Sequence, residues 1–75
     1  MTNVQDELRD EMLRAIKKHG DFNSAHEGYA VILEEMDELW DEVKKKKPSP
    51  KRMRAEALQV GAMALKFMLY CDHMV

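Results

Sequence analysis

Glu34, Glu35 and Glu38 stand together in the run Glu34-Glu35-Met36-Asp37-Glu38, and Glu56 follows after 17 intervening residues, with Gln59 three positions further on. Carboxylates three and four residues apart are neighbours on a helix, where each like pair costs about a few tenths of a kcal/mol. A cation should offset that cost. Solvent and the lysines that follow are one source of it. A bound metal is the other, since a pair of acids on one helix shoulder facing an acid and an amide on the next makes an all-oxygen cluster. Oxygen ligands without His or Cys favour Mg²⁺ or Mn²⁺ over zinc. A di-iron centre would bring Glu-x-x-His repeats, and the chain has none.

Three helices have to carry these residues. Asn3 caps the first, which is expected over 3–19 with Val4, Leu8, Met12 or Leu13, and Ile16 at helical spacing and Gly20 as its stop. Ser24-Ala25-His26-Glu27 reads as a capping box that opens a second helix over 24–46. Its expected core stripe is Ala25, Tyr29, Ile32, Met36, Leu39 and Val43, with Glu35, Glu38 and Glu42 along one shoulder. After Pro48-Ser49-Pro50 a third helix is expected over 51–72. Ala55, Leu58, Ala62, Leu65 and Leu69 form its main stripe, but Val60, Met63 and Phe67 make it apolar almost all round. Such a helix must be surrounded, and two other helices cannot surround it. The expected architecture is therefore all-α, a three-helix protomer that completes a helical bundle as a homodimer or higher homo-oligomer, with the third helices meeting.

The 75 residues make a single domain, 1–75, with a small core, and Cys71 has no partner for a disulfide, so a metal or a second chain is left to stabilise the fold. Seven of the 14 acids lie between His26 and Val43 with no Lys or Arg among them, and seven of the 12 bases follow directly, so the net charge of −2 is the sum of an acidic and a basic block. That balance excludes a strongly nucleic-acid-binding class, because the acids adjoin the lysine run and no aromatic residues interleave with it. No apolar run reaches the roughly 20 residues that span a bilayer. One cysteine and seven methionines suit a reducing cytoplasm, the expected location.

The chain resembles the MazG-like, all-α nucleoside triphosphate pyrophosphohydrolases. Glu34-Glu35-Met36-Asp37-Glu38 matches their Glu-Glu-x-x-Glu motif, and Glu56-Ala57-Leu58-Gln59 stands where they have Glu-x-x-Asp, across about Ser24 to Leu69. The resemblance implies Glu35, Glu38 and Glu56 as Mg²⁺ ligands, with Glu34 supporting or ligating and Gln59 offering one neutral oxygen in place of an Asp. It also implies attack of an activated water on the α-phosphorus of a nucleoside triphosphate, with Glu34 and Glu38 as catalytic carboxylates and pyrophosphate leaving from a nucleoside monophosphate. The alternative it leaves is a non-catalytic MazG-like module that binds a nucleotide or another helix.

Basic residues would meet the outer phosphates, and Lys47, Lys51, Arg52, Arg54 and Lys66 are the candidates. His19 and His26 flank the first break and could contact a nucleotide, although loop packing or capping is their ordinary role. Phe22, Tyr29 and Trp40 could stack a base, and Met63 and Phe67 could wall a pocket for one, but core or interface packing explains all five. Cys71 has no neighbouring base to make it a nucleophile.

Overall fold

The computed structural model describes residues 3–74 as three helices, α1 (Val4–His19), α2 (Ala25–Val43) and α3 (Pro50–His73). Local chemistry sets each end. The Asn3 side chain accepts from the Gln5 amide at 2.7 Å, Ser24 Oγ accepts from the Glu27 amide at 3.0 Å, and Ser49 accepts from the Arg52 amide with Pro50 in the first turn. Glu27 completes its box one residue earlier than expected, accepting from the Asn23 backbone at 3.2 Å and side chain at 3.0 Å. Gly20 closes α1 at φ 77°, and its amide donates to the Ile16 carbonyl.

The second helix ends at Val43 and not at Lys46. Pro48 disfavours helical backbone at Lys47, and the chain leaves the helix through Lys44 to Lys47 before that point. Lys44 and Lys45 then fold back to pair with Asp41 at 3.2 Å and Glu42 at 2.9 Å.

Both α1 and α2 pack on α3, and their backbones do not approach each other. The outline is a slab 44 × 31 × 19 Å. Met12, Phe22, Ala62 and Met63 are the buried apolar residues, with Ala15, Ile16, Val31, Ile32, Leu65 and Phe67 packed around them. Met12, rather than Leu13, is the inward residue of α1. Gly28 lets α2 come close to this core, since a Cβ there would lie 2.6 Å from the Phe67 ring and 3.1 Å from Phe22.

The expected stripe of α2 splits in two. Ile32 and Leu39 turn towards α3 with Gly28 and Val31, and in the same inward register stand Glu35 and Glu42, both half-buried. Tyr29, Leu33, Met36, Trp40 and Val43 remain exposed, Tyr29 at 65% and Trp40 at 58%. Their spacing of four, three, four and three residues lines them along one seam. An arc of apolar residues this wide can face two neighbours, and within the chain α3 is the one it has. Five of the large exposed apolar side chains thus sit on α2, with Val4 and Leu13 on α1, whereas the uncovered part of α3 is mostly small, with Ala57 and Ala64 beside Met68.

Candidate metal centre

The half-buried register of α2 places carboxylates where a core residue would ordinarily stand. Glu35 from the middle of α2, Glu38 one turn later and Glu56 from the first turns of α3 converge, each offering an oxygen within 4.8 Å of the others. One oxygen of Glu35, Oε2, is sealed from solvent and has no hydrogen-bond partner. Burial, with Glu38, Glu56 and Glu34 nearby, pushes the Glu35 carboxyl up to about 7. Glu56 is also raised, by burial first and then by Glu38 and Glu42. An orphaned, partly desolvated carboxylate among like charges lacks a positive partner, and three converging oxygens fit a hard divalent cation such as Mg²⁺ or Mn²⁺. Glu42 is turned from the cluster's needs by its two contacts with Lys45 at 2.9 and 3.0 Å.

Glu35 also lines a groove of about 520 Å³ that runs between α1 and α2 over the floor of α3. Its acids are Glu11, Glu27, Glu34 and Glu35, with Gln59 bonded to Glu11. Arg14, Lys18 and Lys66 supply cations along it beside His19, and Phe22, Val31 and Met63 give it an apolar wall. Lys66 is only 5% exposed and has no ion-pair partner among the described residues. Its Nζ rests 4.3 Å from the centroid of the Phe22 ring. The Phe22 face favours the ammonium, and Glu27, held below the ordinary carboxylate range by its Asn23 hydrogen bonds and then by Lys66, lines the same groove.

The residues expected from sequence therefore divide. Glu34, Glu35, Gln59, His19 and Lys66 line the groove, and Glu35, Glu38 and Glu56 form the cluster. Arg54 is engaged elsewhere, donating to both oxygens of Glu7 at 3.1 and 2.6 Å and holding that carboxyl below its ordinary range. Lys47, Lys51, Arg52 and His26 are exposed and do not line the groove. Among the stacking candidates, Phe22 and Met63 face the groove, while Tyr29 and Trp40 belong to the seam. Sequence reasoning passed over Glu11, Arg14 and Lys18, which α1 brings to the groove. Gln59 Nε2 donates to Glu11 Oε1 at 3.1 Å, and Arg14 pairs with the other oxygen of Glu11. The one available signal was that Glu11 adjoins Met12 on the packed side of an otherwise solvated helix.

Fold and cluster together define an all-α protein in which Glu35 belongs both to a three-carboxylate cluster and to the wall of a groove that also holds the buried Lys66. No family model, curated protein or solved structure matches the chain. No helix among the described residues is long and apolar enough to cross a membrane.

Proposed function

We propose that this chain is a Mg²⁺-dependent nucleoside triphosphate pyrophosphohydrolase of the MazG-like type. The observation that carries the reading is the sealed, unpartnered Oε2 of Glu35 within the Glu35, Glu38 and Glu56 cluster, opening on a groove that also holds Lys66. Glu35, Glu38 and Glu56 would hold the cation, with Mn²⁺ as an alternative to Mg²⁺. A bound divalent cation supplies charge to phosphoryl oxygens and eases attack by water on phosphorus.

The chain's own residues do the rest. Glu34, in the groove beside Glu35, accepts the proton of the attacking water. Lys66, Lys18 and His19 face the charge of the phosphate chain, and Phe22 and Met63 offer apolar surface to the base. The bond broken joins the α-phosphorus to the bridging oxygen, so the products are a nucleoside monophosphate and pyrophosphate. The test incubates the protein with Mg²⁺ and a panel of ribo- and deoxyribonucleoside triphosphates and follows both products. Release of monophosphate and pyrophosphate in equal amounts, abolished by Glu38→Ala, supports the reading; absence of turnover across the panel defeats it.

The same proposal includes a second copy of the chain, seated on α2. Among the described residues few are buried, and no large side chain is fully enclosed. Five large apolar residues exposed at heptad spacing are what a helix pair needs. Two α2 helices packed antiparallel about a twofold axis would set Tyr29 against Trp40 and Leu33 against Met36, a self-complementary contact that closes. The interface thereby moves from α3, where sequence alone places it, to the helix that carries Glu35 and Glu38. We place the protein in the cytoplasm on its one cysteine and seven methionines.

A further inference from the structure

Gln59 is the weak member of the candidate site, because an amide offers a neutral oxygen where a carboxylate would serve a divalent cation better. The structure shows what holds that amide. Glu11, its side chain 15% exposed, accepts from Gln59 Nε2 with Oε1, while its Oε2 is taken by Arg14. Each oxygen of Glu11 thus has its own donor, which fixes the carboxylate plane. A carboxamide whose NH₂ is committed to one side must present its carbonyl oxygen on the other. Glu11, Gln59, Glu34, Glu35 and Lys66 all line one groove, and Gln59 stands one helical turn after Glu56.

We propose that Glu11 is a positioning residue that acts through Gln59: by binding Nε2 it turns Oε1 of Gln59 towards the Glu35, Glu38 and Glu56 cluster as a neutral oxygen ligand for a divalent cation. The inference rests on the metal reading given above. Besides the acids, of which Glu35 has an orphaned Oε2, one feature of the groove points to a charged ligand there, the buried Lys66 with no ion-pair partner among the described residues. Glu11 reaches Gln59 across 48 positions of sequence, so α1 is recruited to a site whose expected ligands all lie on α2 and α3. Residues that orient a ligand without touching the metal typically change affinity by about 10–100-fold when removed.

The experiment is Mn²⁺ binding to the full chain, followed by the loss of the free-ion paramagnetic resonance signal, so that the readout does not depend on turnover. Glu11→Ala should weaken Mn²⁺ binding about tenfold. Glu11→Gln keeps an acceptor for Nε2 and should stay within about threefold of the parent, below what loss of such a residue costs. In a Gln59→Leu background, Glu11→Ala should add nothing, because the group it positions is gone. Unchanged affinity in Glu11→Ala, or an equal loss in both backgrounds, overturns the positioning role while the metal site stands. A parent chain that takes up no Mn²⁺ overturns the metal reading itself. Helical circular dichroism of each variant separates these outcomes from misfolding, and Glu11→Gln carries the test where Glu11→Ala unfolds, since its affinity falling with that of Gln59→Leu would contradict the proposal.

Discussion

Lys66 Nζ lies 4.3 Å from the centroid of the Phe22 ring, with the rest of the lysine side chain enclosed by the core. Replacing it by Met keeps an unbranched chain of similar volume and removes the charge. Lys66→Met should therefore leave the melting temperature unchanged or raised, since it relieves a costly desolvation. Affinity for pyrophosphate and for nucleoside triphosphates, measured calorimetrically, should fall at least about tenfold, on the order of 1.4 kcal/mol, as expected for one lost charge-assisted contact. Equal anion affinity in the variant would remove Lys66 from the site.

Glu35 sets the dependence on pH. Its folded carboxyl titrates at about 7 against an ordinary 4.5, so between those values the folded chain binds more protons than the unfolded one. Stability of the metal-free protein should be greatest at the acid end of this window and fall as the pH rises through 7, with Glu56 acting in the same direction. Glu7 and Glu27, held low by Arg54 and Asn23, lose their stabilising contacts only below about the ordinary carboxylate range. Thermal melts in a chelator at pH 5 and pH 8 check this, and Glu35→Gln should flatten the difference. A melting temperature that rises across the window contradicts the assignment.

Metal should invert that trend. Because a cation competes with the proton on Glu35, Mn²⁺ binding should strengthen from pH 5.5 to 7.5 and release protons near neutrality. Proton release is read directly by calorimetry in buffers of different ionisation enthalpy. Pairing the loss of affinity in Glu35→Gln with the loss of this release ties both to one group.

The chain has a single tryptophan, and it lies on the α2 seam. If two copies meet there, Trp40 fluorescence should shift to the blue as concentration rises, and sedimentation should give the mass of two chains at micromolar concentration. Leu33→Glu should return the mass of one chain and the emission of a solvated indole. A parent protein sedimenting as one chain would leave the seam without the second copy proposed for it.

Two glycines separate close packing from mere helix weakness. Gly28→Ala drives a Cβ to 2.6 Å from the stiff Phe67 ring, so overpacking of about 1–3 kcal/mol should outweigh a propensity gain of about 1 kcal/mol. At Gly61 the only close atom is the end of the flexible Leu8 side chain, and Gly61→Ala should be neutral or stabilising. Chemical denaturation of the two variants reads the contrast.

What the sequence made legible is what local chemistry decides. Asn3, Ser24 and Gly20 mark helix ends through contacts within five residues, and the spacing of Glu35, Glu38 and Glu56 brings their oxygens together once two adjacent helices pair. Contacts of long reach were not legible. The Glu7 to Arg54 and Glu11 to Gln59 pairs span 47 and 48 positions and depend on how α1 crosses α3, which no periodicity encodes. The stripe of α2 was misassigned for a related reason, since a wide apolar arc does not say which part faces inward, and the half-buried acids Glu35 and Glu42 were needed to resolve it.

Because α1 and α2 are joined through α3 and the turn at Gly20 but do not lean on each other, the two walls of the groove lack a brace. A ligand that touches Lys18 on one wall and Glu34 on the other would act as that strut. Its arrival should be felt as stiffening far from any contact it makes, slowing amide exchange along the whole of α1.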